Sequence, residues 1–145
     1  MAAGGYPMSA APADDELRDL LQTCRTAAVV GLSPDPDRPS HSVAAYLQGH
    51  GIRVLPVNPT VREVLGQPAW PDLDALPTVP DVVVVFRRPP QVPEVAAAAV
   101  RRRARTLWLQ PGAEHPAAAE TARAAGLRVV EGRCIREEHR RLLNP

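Results

Sequence analysis

The sequence predicts an α/β fold: a doubly wound, parallel five-stranded sheet with helices on both faces. Two observations carry that expectation. Short apolar runs alternate with helical stretches five times along the chain, at the spacing of strand–helix–strand units. One of those runs, residues 81–86 (DVVVVF), holds four consecutive valines, which suits a strand buried on both faces. Right-handed crossovers and a switch point beside the first strand then give the strand order 3-2-1-4-5.

Each element has its own signal. Residues 14–23 (DDELRDLLQT) put acids first and leucines at Leu17, Leu20 and Leu21, the spacing of a short amphipathic helix. Residues 26–31 (TAAVVG) form an apolar run stopped by glycine, a buried strand. The next helix is expected from Ser40, with Val43, Tyr46 and Leu47 on one face and Gly51 at its end. Residues 52–59 (IRVLPVNP) are the second strand, weakened by Pro56, which removes a ladder hydrogen bond. The proline-punctuated stretch 60–80 is expected to carry helical turns over 61–65 and 72–76.

After the valine strand, residues 90–103 read as a helix with prolines at its start and arginines at its end. Residues 106–110 (TLWLQ) and 127–132 (LRVVEG) are the fourth and fifth strands, separated by a helix over 116–126. Residues 134–143 close the chain as a charged helix or turn. The stretch 1–13 reads as a flexible leader and 14–145 as a single domain, long enough to bury roughly two-thirds of its unfolded surface.

Composition narrows the chemistry. Formal net charge is +1, so no global field points to nucleic acid. All 17 basic residues are arginine, which removes any lysine Schiff base or P-loop ammonium. Cys24 and Cys134 lie far apart and form no C-x-x-C pair, which argues against a disulfide framework or a cysteine zinc site. No apolar stretch approaches ~18 residues, and the start lacks the basic and apolar regions of a signal peptide. A cytoplasmic protein with no membrane partner is expected.

In this topology ligands bind at the carboxyl ends of the strands. Five segments land there: 31–40, 57–59, 86–90, 110–113 and 132–134. A dinucleotide fingerprint needs a G-x-G-x-x-G turn, and only Gly31 is in place. The second strand ends Val57-Asn58-Pro59, without the acid that holds a ribose diol, which argues against ordinary NAD binding. The first loop instead offers Ser33, Arg38, Ser40 and His41 before a helix start, a set suited to phosphate oxygens. Arg62, Arg87 and Arg88 can add charge from neighbouring loops. The plain structural readings are that Ser40 is an N-cap, that Phe86 and Trp108 are core, and that 101–105 is a solvated helix end. Adjacent side chains after a strand point to opposite sides, so only one of Arg87 and Arg88 is expected to face the site.

In order and spacing, AVVGLSPDPDRPSHSVAAYL, GIRVLPVNP, LGQPAWPDLDALP, DVVVVFRRPPQVPEV, LWLQPGA and GLRVVEGRCIREEHRRL resemble the small stand-alone CoA-binding proteins. These are similar to the N-terminal CoA-binding domain of the succinyl-CoA synthetase α-subunit. The resemblance covers about residues 14–143 and implies a Rossmann-like fold with coenzyme A as ligand. It also implies roles: Gly31, Ser33, Arg38 and Ser40 on the CoA phosphates. Val57, Asn58 and Pro59 would line the nucleotide. Phe86, Arg87 and Pro89 would flank adenine and ribose, and Gln110 and Gly112 would follow the pantetheine arm. The lysine that contacts phosphate in the synthetase relatives is absent, and Arg38 or Arg62 would take its place.

No catalytic residue and no metal ligand is expected. His41 sits where a helix dipole disfavours its charged form. Residues 137–139 (EEH) point about 100° apart on a helix and read as a solvated face. Cys134, beside Arg133 and Arg136, reads as an anchoring residue, with a mixed disulfide to the CoA thiol as the reactive alternative. A binding module, sensor or carrier for CoA or acyl-CoA is therefore expected. The alternative is a subunit of an acyl-CoA enzyme whose catalytic groups come from a partner chain. A homodimer would suit so small a sheet.

Overall fold

The computed structural model describes residues 11–144. Most of the expected leader, residues 1–10, lies outside the described residues, as does Pro145. The chain runs α1 (Asp14–Thr23), β1 (Thr26–Val30), α2 (Pro39–Gly49), β2 (Arg53–Val57), β3 (Glu63–Val64) and β4 (Gln67–Pro68). It continues with a 3₁₀ turn (Leu73–Ala75), β5 (Val82–Val85), a 3₁₀ turn (Pro89–Gln91), α3 (Val92–Arg101), β6 (Thr106–Leu109), α4 (Pro116–Ala124), β7 (Arg128–Glu131) and α5 (Ile135–Leu143). Five strands form one parallel sheet, and β3 and β4 make a separate hairpin.

Strand periodicity divides the core. Ala28, Val30, Val83, Val85, Leu107 and Leu109 pack with Ala96, Ala99, Ala119 and Ala122 of α3 and α4 on one face. Ala27, Val29, Val82, Val84 and Trp108 pack with Leu17, Leu20, Val43, Leu47 and Ile135 of α1, α2 and α5 on the other. Successive valines of β5 thus serve opposite cores, which is why the run lacks alternation.

The order is β2-β1-β5-β6-β7. Counting only the sheet strands this is 2-1-3-4-5, which corrects the expected 3-2-1-4-5; the switch point stays beside β1. Two residues explain the difference. Pro56 cannot donate to a ladder, and in the sheet its backbone faces outward, with its carbonyl accepting from Trp70 N–H at 3.0 Å. That confines β2 to an edge, whereas the expected order would have put it inside the sheet. Asp81 binds the third strand to the first, its carboxylate accepting from the N–H groups of Arg25 (2.8 Å) and Thr26 (3.1 Å).

The stretch expected as a helical turn over 61–65 is instead the β3–β4 hairpin. Leu65 (φ 54°) and Gly66 (φ 75°) both take the left-handed conformation that a two-residue hairpin turn demands. The second expected turn is present, capped by the Asp72 carboxylate on Ala75 N–H at 2.9 Å.

Candidate functional site

The loop leaving β1 is built by its own short polar side chains. Gly31 takes φ +85°, its N–H donates to Val57 O at 2.9 Å, and any Cβ there would run into the Phe86 carbonyl oxygen. Glycine at this position lets the ends of β1 and β5 meet. Beyond it, Ser33 N–H donates to Ser40 Oγ (3.0 Å), Asp35 N–H to Ser33 Oγ (3.0 Å) and Asp37 N–H to Asp35 Oδ1 (2.9 Å). Asn58 braces the loop from β2: its Nδ2 donates to Leu32 O at 3.0 Å and its Oδ1 accepts from Thr60. Helix α2 starts at Pro39, with Arg38 in the N-cap position. Ser40 is therefore no N-cap; buried in the first turn, it holds the loop rather than the helix.

Three clefts follow one another along the carboxyl edge. The first, about 330 Å³, is lined by Gly31, Ser33, Arg38, Pro39, Ser40 and Phe86. The second, about 310 Å³, shares Phe86 and adds Arg87, Arg88, Gln91, Pro111, Gly112 and Ala113. The third, about 150 Å³, shares Arg87 and reaches Val30, Val57 and the Pro71–Asp74 segment. Of the residues expected at the site, Gly31, Ser33, Arg38, Ser40, Val57, Phe86, Arg87 and Gly112 line this row. His41, Asn58, Pro59, Arg62, Pro89 and Gln110 do not.

Gln110 is 3% exposed; its Oε1 accepts Ile135 N–H at 2.8 Å and its Nε2 reaches Cys134 Sγ at 3.4 Å. Its side chain seats α5. Arg87 and Arg88 line the same cleft, against the expectation that only one faces the site. Strand β5 ends at Val85, so strand alternation no longer applies to them. Gln91 was hidden inside an expected helix; the 3₁₀ turn Pro89–Gln91 carries it to the edge.

Arg101 pairs with Asp74, Arg133 with Glu138 and Arg141 with Asp14, each at 2.8 Å. Among the described residues, no carboxylate pairs with Arg38, Arg62, Arg87 or Arg88. Unpaired Arg38 beside the serine-lined helix start, with Arg87 and Arg88 on the adjoining cleft, offers donors and charge suited to phosphate oxygens.

The nucleophile candidates lie elsewhere. Cys24 is buried, and burial, with a smaller contribution from Asp81, pushes its thiol up to about 12. Cys134 is half-buried at the N-cap of α5. His115 caps α4, its Nδ1 accepting from Ala118 N–H at 3.1 Å. The 137–139 segment is not uniformly solvated: His139 is buried against α2 and bonds Tyr46. Among the described residues no cluster of His, Cys, Asp and Glu is arranged to hold a metal, and no helix is long and apolar enough to cross a membrane.

Known proteins share this frame. The chain is 38% identical over 128 residues to the uncharacterized protein YneT of Bacillus subtilis, covering 88% of this chain and 95% of that one. A hypothetical protein from Pyrococcus horikoshii superposes with a TM-score of 0.90 at 35% identity, over 95% of this chain and 97% of that one. In fold alone, the chain also matches 27% of the length of an acetyl-coenzyme A synthetase of Ca. Korarchaeum cryptofilum, with a TM-score of 0.69, 24% identity and 79% of this chain covered. The CoA-binding domain family matches residues 25–140, which span the whole sheet and its carboxyl-edge loops. With that match over most of its length, the chain belongs to the CoA-binding domain family.

Proposed function

We propose that the protein binds coenzyme A or an acyl-CoA along the row of clefts, as a sensor or carrier without chemistry of its own. The observation that carries this reading is the serine-lined cleft with unpaired Arg38 at the α2 start, joined through Phe86 to a cleft lined by unpaired Arg87 and Arg88. In it, Ser33, Arg38 and Ser40 take phosphate oxygens at the head of the groove. Phe86 and Arg87 join the clefts and flank the nucleotide, with Val57 beneath. Gly112, where a Cβ would meet nothing within 4 Å, leaves backbone open to the pantetheine arm. Asn58 and Gln110 contribute by holding the loop and α5, not by touching the ligand. No histidine or cysteine lines the clefts among the described residues, which favours binding over catalysis.

Calorimetric titration with CoA, dephospho-CoA, NAD, NADP and ATP tests the reading. CoA should bind tightest and weaken when its 3′-phosphate is removed. Arg38→Ala should lower CoA affinity by roughly 10- to 100-fold, the worth of one charged hydrogen bond. Binding of NAD or NADP with none of CoA would overturn the assignment.

A further inference from the structure

The C-terminal helix is fastened to α2 at two points. Near the site, Arg136 donates to Ser42 Oγ at 3.1 Å. About one turn further along both helices, three rings interlock. His139 of α5, 7% exposed, takes the Tyr46 hydroxyl of α2 on its Nδ1 at 2.8 Å, with the rings edge-on at 5.3 Å. Tyr46 stacks on His50 at 4.1 Å, and His50 meets His139 at 5.1 Å. His50 Nδ1 donates to Tyr46 O at 2.8 Å, and its Nε2 accepts from Asn144 Nδ2 at 3.3 Å, tying the chain end into the cluster.

A proton on His139 would take the lone pair that Tyr46 uses, oblige the hydroxyl to turn and accept, and leave an imidazolium buried beside a second imidazole ring. Among the described residues no free carboxylate stands against the cluster. Arg140 lies 5.3 Å over the Tyr46 ring, adding positive charge. The carboxylates of the adjoining elements are taken: Glu137 by Arg136 and Arg140, Glu138 by Arg133 and Arg141, and Asp14 of α1 by Arg141. Burial, and after it His50, hold His139 below the ordinary imidazole range.

We propose that Tyr46, His50 and His139 form an acid-released clasp that holds α5 on α2 at neutral pH and frees it as the medium acidifies. The sign follows from linkage. A histidine whose folded form resists protonation stabilises the closed state fully above its ordinary value near 6.5. That contribution is lost as pH falls from there toward the lowered folded value. The clasp does not depend on what the groove binds.

Hydrogen exchange of the full chain without ligand, corrected for intrinsic rates, tests the clasp between about pH 7.5 and about pH 5. Protection of the α5 amides should fall by up to about tenfold per pH unit below about 6.5, while the sheet amides hold. His139→Phe, which keeps a ring and cannot take a proton, should abolish that pH dependence. His50→Gln should raise the titration of His139, followed by NMR, and reduce the loss of α5 protection. The proposal is overturned if α5 loses no more protection than the sheet, or if His139→Phe retains the pH dependence. Should His139→Phe not fold, unchanged His139 titration and unchanged α5 exchange in His50→Gln would overturn it.

Discussion

Gly31 and Gly112 both take positive φ, +85° and +94°, yet they do different work. At Gly31 the space is closed by the Phe86 backbone; at Gly112 it is open. Gly31→Ala should therefore destabilise the fold by about 2 kcal/mol or more, adding a clash to the backbone penalty. Gly112→Ala should cost about 1 kcal/mol, from the backbone alone. Urea unfolding of the two variants measures the difference, and equal losses would mean that the β1–β5 contact yields. Gly31 was legible in the sequence as the end of a strand, but its neighbour was not. Gln110 shows the reverse case: its place after a strand was plain, while the burial that turns its side chain toward Ile135 depends on where α5 packs.

Among the elements, β5 was the most readable and the connection before it the least. Four valines in a row admit few alternatives to a doubly buried strand. Val83 is fully buried, whereas Val79, two residues before Asp81, is 51% exposed. Val83→Ala should cost about 2 kcal/mol and Val79→Ala no more than about 0.5 kcal/mol; thermal or urea denaturation distinguishes them. The β3–β4 hairpin escaped sequence reading because its turn uses Leu65 at φ 54°, a conformation rarely taken by a branched, non-glycine side chain. Helix α2 begins one residue before Ser40 because proline fits the first helical position, where its missing N–H has no partner to lose.

For the molecule as a whole, ligand and stability are linked. A ligand bound only by the folded state at about 100 times its Kd adds about 2.7 kcal/mol to unfolding. CoA at such a concentration should raise the melting temperature of the full chain, and in Arg38→Ala the same concentration should raise it less. NAD, lacking an acid for its ribose at the end of β2, should leave it unchanged. A melting temperature indifferent to CoA would count against the groove as its site.

Periodicity, glycine and proline determined the strands of the main sheet, the helices between them and the parallel pairing, because these signals are local and each residue carries its own. The tertiary structure alone decided the strand order, since pairing depends on which backbone edges remain open once Pro56 and Asp81 have taken their places. It also decided which arginines stay unpaired and which histidine is buried. Charge and burial belong to neighbours distant in sequence: Arg38 and Arg141 are alike in the chain, and only folding brings Asp14 to one of them.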